Sequence, residues 1–294
     1  MSIWTNIPIL HVGGPEPDGW LHSNWRPEPT VVAGALGLIA LYVIWTGSRN
    51  RNEDGSQINP VSTGQKVMFI LGAAIGAISL LPPLDDWSAH YLLSAHMYQH
   101  LLLMMVSVPL MIAGTPAWLV MKLVAHGKLR PVLYVLTRPP ISFVLGNLII
   151  VIWHMPFAYN QALMHEWVHV IQHISFIVAS FFTWWPVLSR SPELPGLPPL
   201  LSCLYLFLNS IPGAVVGAVI TFAEPGLYAV YPDAQRIFGI DLQMDQELAG
   251  VTMWVLTGTV YLGWITVIFL RWAAAEERRD RATTPRPAAP ATPA

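Results

Sequence analysis

PLLSCLYLFLNSIPGAVVGAVITFA, residues 199–223, contains no charged side chain. A helix rises about 1.5 Å per residue, so this stretch is long enough to cross the roughly 30 Å hydrocarbon core of a bilayer. Working outward in both directions, six further apolar runs qualify or nearly do, near 30–47, 66–84, 93–121, 141–158, 167–188 and 248–270. Only 11% of the residues are charged, against about a quarter in a soluble domain. The expected fold is therefore all-α, a polytopic membrane bundle of seven transmembrane helices over 30–272. An extracytoplasmic arm, 1–29, rich in Pro, Gly and Trp, precedes it. A charged and then Pro/Ala-rich tail, 273–294, is expected to be cytoplasmic and disordered. Pro109 and Pro116 in the third run predict a kink or an end at the inner leaflet. The first residues lack a basic region, so no cleavable signal peptide is expected.

Net charge is −2, which gives no reason to expect a nucleic-acid partner. Membrane lipid is the solvent of most of the surface. Cys203 is the single cysteine, so an internal disulfide, a CxxC pair and a CxxCH haem-attachment motif are all excluded. Any metal must be held by imidazole, thioether or carboxylate.

Orientation follows from the basic residues. Of fifteen Lys and Arg, thirteen fall in alternate loops and the tail, leaving Arg26 and Arg236 opposite. The N-terminus is expected outside and the C-terminus in the cytoplasm. On that topology nine of the ten histidines lie on the outer side, and His126 alone lies inside.

Their spacing adds more. His96 and His100, in AHMYQHLLLMM, are four residues apart and share a helix face, with Met104 one turn deeper. His165, His169 and His173 repeat that step in HEWVHVIQH, and His154 closes the fourth run in WHMP. Asp245 begins the last run at the same level. A lone histidine at membrane depth is usually a satisfied hydrogen bonder between helices. A group drawn from three helices at one depth points instead to a transition metal, and the nearby methionines point to copper. The candidate ligands are His96, His100, His154, His165, His169, His173, Met104 and Asp245.

Other readings remain open. His100 and His173 have positions suited to a bis-histidine haem in a quinone-linked redox protein. A metal-free hydrogen-bonded scaffold and a proton-coupled transporter use similar residues. Gly213 and Gly217 suggest close helix packing. Trp184–Trp185–Pro186 suggests interface anchoring and helix termination. Asp245 has a plain role as well, at the positive end of a helix dipole.

HMYQHLLLMM (96–105), WHMPFAYNQAL (153–163), HEWVHVIQHISF (165–176), WWPV (184–187), LYAVY (227–231) and DQELAGVTMW (245–254) together resemble the polytopic CtaG-type cytochrome c oxidase assembly factors. The resemblance implies a seven-span protein of a bacterial plasma membrane that serves respiratory-chain biogenesis as an assembly factor rather than a catalyst. It implies transient copper binding, oxidase subunits as partners and a periplasmic copper chaperone as a donor. His96, His100, His154, His169 and His173 match the family's recurrent histidines, and Asp245 with Gln246 matches its acidic-amide pair.

Overall fold

The computed structural model describes residues 28–283, apart from 48–49, 51, 53–57 and 125–128. The arm up to residue 27, His11, His22, His126 and the tail beyond 283 lie outside the described residues. Among those described there are helices and no strand.

The chain runs through α1 (Pro29–Thr46), α2 (Thr63–Ser79), α3 (Leu84–His90) and α4 (Leu93–Leu101), which passes through a π-helical turn (Leu102–Ser107) into α5 (Val108–Gly114). Next come α6 (Ala117–Val124), α7 (Leu129–Leu136), α8 (Pro139–His154), α9 (Pro156–Met164), α10 (Glu166–Leu188) and α11 (Pro199–Phe222). Last are α12 (Leu242–Val251), a second π turn (Thr252–Leu256) and α13 (Thr257–Thr283). Five helical runs are long and apolar enough to cross a membrane. Two bent pairs, α2 with α3 at 43° and the α7 segment with α8 at 76°, bring the number to seven if each is one span. The described residues form an all-helical membrane-protein fold.

Local chemistry sets the boundaries. Ser62 and Gln65 form a capping box at the start of α2, each side chain accepting from the other's backbone N–H at 3.2 Å. The fourth run, expected to reach 158, stops at His154. Met155 precedes Pro156 and is held extended, and the short α9 starts afresh. The stretch after residue 272 is helical to Thr283 rather than disordered, supported by the pairs Glu277–Arg281 at 2.5 Å and Glu276–Arg279 at 3.4 Å.

Pro109 explains the first π turn better than a kink does. Val108 N–H donates to Leu103, five residues back, and Pro109 has no N–H to give. The Met104 carbonyl is thereby left without a partner in its own helix. Two groups of α10 reach across to it: Ser180 Oγ at 2.6 Å and the Trp184 indole N–H at 3.0 Å. Trp184 is fully buried, and Trp185 donates to the Leu194 carbonyl at 3.2 Å. Both tryptophans are therefore core donors rather than interface anchors, and α10 continues through Pro186 to Leu188.

Close approaches lock the other helices. A Cβ on Gly217 would stand 2.9 Å from the Gly250 carbonyl, so α11 and α12 meet backbone to backbone there. Gly213, expected to share that role, has nothing within 4 Å of such a Cβ. Asn147 of α8 donates to Asn209 Oδ1 of α11 at 2.9 Å. The result is a frame in which α4 and α10 begin, and α8 ends, at the same end of the bundle.

Candidate functional site

That end is organised by the Asp245–Gln246 pair. Asp245 Oδ2 accepts from Leu93 N–H at 2.8 Å, and Oδ1 accepts from Ser94 N–H at 2.9 Å and Ser94 Oγ at 2.6 Å. The first turn of α4 leaves backbone N–H groups unpaired, and a carboxylate from α12 satisfies them. Gln246 clasps the loop on the other side. Its Oε1 accepts from Gly226 and Leu227 N–H at 3.1 Å each, and its Nε2 donates to the Ala223 carbonyl at 3.0 Å. Asp245, a candidate ligand from sequence, thus has both oxygens engaged in fixing the helix that carries His96 and His100.

The histidines converge as the spacing implies. His96 and His100 pack edge to face, ring centroids 4.2 Å apart. His96 lies 5.5 Å from His169 and 6.4 Å from His173, and those two lie 4.4 Å from each other. His100 lies 5.6 Å from His173 and 6.3 Å from His154. Four imidazoles around one tetrahedral ion, with metal–nitrogen bonds near 2.0 Å, would place their centroids about 5 Å apart. The observed separations bracket that value. As the rings stand, no group of three or more His, Cys, Asp or Glu among the described residues is arranged to hold an ion.

The polar partners fix which nitrogens are free. His154 Nδ1 lies 2.7 Å from the Ile150 carbonyl, and His96 Nδ1 lies 3.4 Å from the Ser88 carbonyl. A carbonyl only accepts, so each Nδ1 carries the proton and each Nε2 keeps its lone pair. His96 Nε2, His173 Nε2 and both nitrogens of His100 are buried without a hydrogen-bond partner among the described residues. Gln99, Tyr159, Tyr231 and Tyr228 around the group are, by contrast, satisfied. Gln99 donates to Asp85 Oδ1 at 2.8 Å and to the Ser79 carbonyl at 2.9 Å, and accepts from Ser88 Oγ at 3.0 Å. Tyr159 and Tyr231 share a hydroxyl bond of 2.9 Å, and Tyr228 donates to the His154 carbonyl at 3.0 Å.

His165 stands apart from the group, exposed at the start of α10 with its ring against Trp167 at 6.4 Å. Met104 is buried one turn beyond His100. The sequence reading missed Gln172, which is fully buried with both amide atoms unpartnered. Its position three residues after His169 and four before Phe176 puts it on the same face of α10, a signal hidden by attention to histidine alone. It also missed Tyr159 and Phe176, which pack on His96 at 5.1 Å and His100 at 4.5 Å.

A family model described as cytochrome c oxidase caa3 assembly factor (Caa3_CtaG) matches residues 40–275, which contain every residue of this group. No curated protein and no solved structure matches the chain.

Proposed function

The chain belongs to the cytochrome c oxidase caa3 assembly factor family, and from that premise we propose that it binds copper at its histidine group and assists copper insertion into the oxidase. The observation that carries this reading is the set of unpartnered imidazole nitrogens on His96, His100 and His173. A buried polar atom left unpaired costs roughly 1–3 kcal/mol. A scaffold selected only for stability would pair these rings with each other or replace them with apolar side chains. A carrier needs lone pairs held ready for an ion. Neutral imidazoles without thiolate are also exchangeable ligands, as release to an oxidase requires. Bringing the Nε2 atoms together needs the rings to turn, since their centroid separations already suit one ion.

In this reading the histidine end faces outward and the basic loops face the cytoplasm of a bacterial plasma membrane, with thirteen of the fifteen basic residues on the inner side. Oxidase subunits receive the ion and a periplasmic copper chaperone supplies it. His96, His100, His169, His173 and His154 form the site. His165, at the surface, is the first residue an incoming ion meets.

A bis-histidine haem is the rival. Its ring would have to enter between two imidazoles, and His100 and His173 stand edge to face at 5.6 Å. The open space beside His100 is about 50 Å³, while organic ligands occupy cavities of roughly 300–1,000 Å³. The purified protein is therefore expected to show no Soret band. The direct test is to load it with Cu(I) and count bound ions in the wild type and in His96→Ala/His100→Ala. Equal copper in the two would overturn the copper reading. Deleting the gene should leave the oxidase copper-poor, whereas a copper-replete but unassembled oxidase would favour the scaffold.

A further inference from the structure

One turn beyond the histidines, a cavity of about 50 Å³ lies between α4, α8, α11 and the two π turns. Four methionines line it, Met97, Met104, Met105 and Met253, together with His100 and His154. The chain has eleven methionines, so more than a third of them meet at one small space. Met104 and Met105 belong to the first π turn and Met253 to the second. Such turns are rare and concentrate at functional sites, and here both deliver methionine to one cavity.

Packing alone does not account for this arrangement. Methionine is useful in cores because its flexible chain fills irregular gaps. Four of them around a space that stays open is the opposite outcome. The polar wall is also selective. Asn209 is already engaged, donating to the Tyr205 carbonyl at 2.8 Å and accepting from Asn147 at 2.9 Å. His100 is buried with neither ring nitrogen bonded. No carboxylate among the described residues lines the cavity, and its donors, with Thr257 and Tyr261 included, are all neutral.

Neutral, soft donors in an apolar surrounding select the ion. Thioether favours Cu(I) over zinc and other harder divalent ions. The cost of burying an ion rises with the square of its charge, so a monovalent ion costs about a quarter of a divalent one of equal size. We propose that this cavity is a second ion site, distinct from the histidine group, in which Cu(I) is held by His100 and the thioethers of Met97, Met104 and Met253. The choice of copper rests on the reading of the histidine group above, while the cavity and its donors stand independently of it. His100, common to both, gives an ion a ligand it need not leave while passing between them, and with both sites filled its one lone pair serves the thioether ion while His96, His169 and His173 hold the other. No electron moves and only ligands are exchanged.

The test uses the full chain in detergent, loaded anaerobically with Cu(I) from a competing chelator, and in parallel with Ag(I) as a redox-inert probe. Ion stoichiometry is measured together with X-ray absorption at the copper edge. Wild type is expected to bind two ions with both nitrogen and sulfur scattering. Met104→Leu/Met253→Leu, which conserves volume, is expected to lose one ion and the sulfur signal. His96→Leu/His173→Leu, away from the cavity, is expected to lose the other ion and keep the sulfur. Full stoichiometry in the methionine variant overturns the proposal. So does an absence of sulfur scattering in the wild type, a measurement that needs no variant to fold. An unchanged His96→Leu/His173→Leu variant overturns the histidine reading and leaves the thioether site standing. A wild type that binds neither ion overturns both.

Discussion

Asp245 and Ser94 lie 151 residues apart in the chain, yet one carboxylate oxygen of Asp245 accepts from both the backbone N–H and the hydroxyl of Ser94. The other oxygen takes Leu93 N–H, so α12 supplies the cap that α4 lacks in its own sequence. The position of His96 and His100 is therefore set by a residue that does not touch them through any of these bonds. Asp245→Asn should keep part of the cap and lower stability by about 1 kcal/mol, and Asp245→Ala by more, since helix caps alone contribute about 0.5–2 kcal/mol. Thermal unfolding of metal-free protein measures this. If Asp245 were instead a metal ligand, the metal-free midpoint would stay put and copper capacity alone would fall.

The Met104 carbonyl gives a second expectation. Ser180 and Trp184 both donate to it, so each covers partly for the other. Ser180→Ala should be mild. Trp184→Phe should cost more, because a large fully buried ring loses its donor and part of its volume. The double variant should exceed the sum, since only then is a buried carbonyl left wholly unpaired, at roughly 1–3 kcal/mol. A double-mutant cycle on unfolding midpoints reads the coupling, and strict additivity would show that the carbonyl finds another partner.

Much of this was legible in the sequence, for identifiable reasons. Apolar length fixes the spans, and the four-residue step of His96 and His100 places both rings on one helix face whatever the surrounding fold. The convergence of α4, α8 and α10 followed from placing their histidines at one depth. The first π turn was not legible, because it combines Pro109 in one helix with donors seventy or more residues away in another. The same holds for Trp184, whose partner is a backbone carbonyl that no side-chain pattern reveals. Asp245 was seen as acidic at a helix start, but the helix it caps is α4 and not only its own. Gln172 shares the histidine face by spacing, but an amide within a helix does not show in the sequence that it is buried.

The two small residues of α11 separate cleanly. A Cβ on Gly217 meets backbone atoms, the Gly250 carbonyl at 2.9 Å and Trp254 N at 3.0 Å, and backbone cannot step aside cheaply. Gly217→Ala should destabilise by about 1–3 kcal/mol, in the range of overpacked cores. Gly213→Ala meets nothing within 4 Å. It should be neutral or slightly stabilising, because alanine is the better helix former by up to about 1 kcal/mol. Equal shifts in the unfolding midpoints of the two variants would contradict the close contact between α11 and α12.

The unpartnered imidazoles make the last prediction, and its sign separates a ligand group from a structural network. In a network each histidine stabilises the fold through bonds that an apolar residue cannot make, so His100→Leu or His173→Leu would lower the metal-free midpoint. Here the ring nitrogens of His100 and Nε2 of His173 have no partner to lose. Each leucine variant should therefore be as stable as wild type or more so when metal-free. Added ligand stabilises a folded protein by about 2.7 kcal/mol at one hundred times its dissociation constant. The wild-type midpoint should rise accordingly with Cu(I), and the rise should shrink or vanish in His100→Leu. A large metal-free loss in the leucine variants, together with an unchanged response to Cu(I), would mean that these rings hold the bundle together rather than the ion.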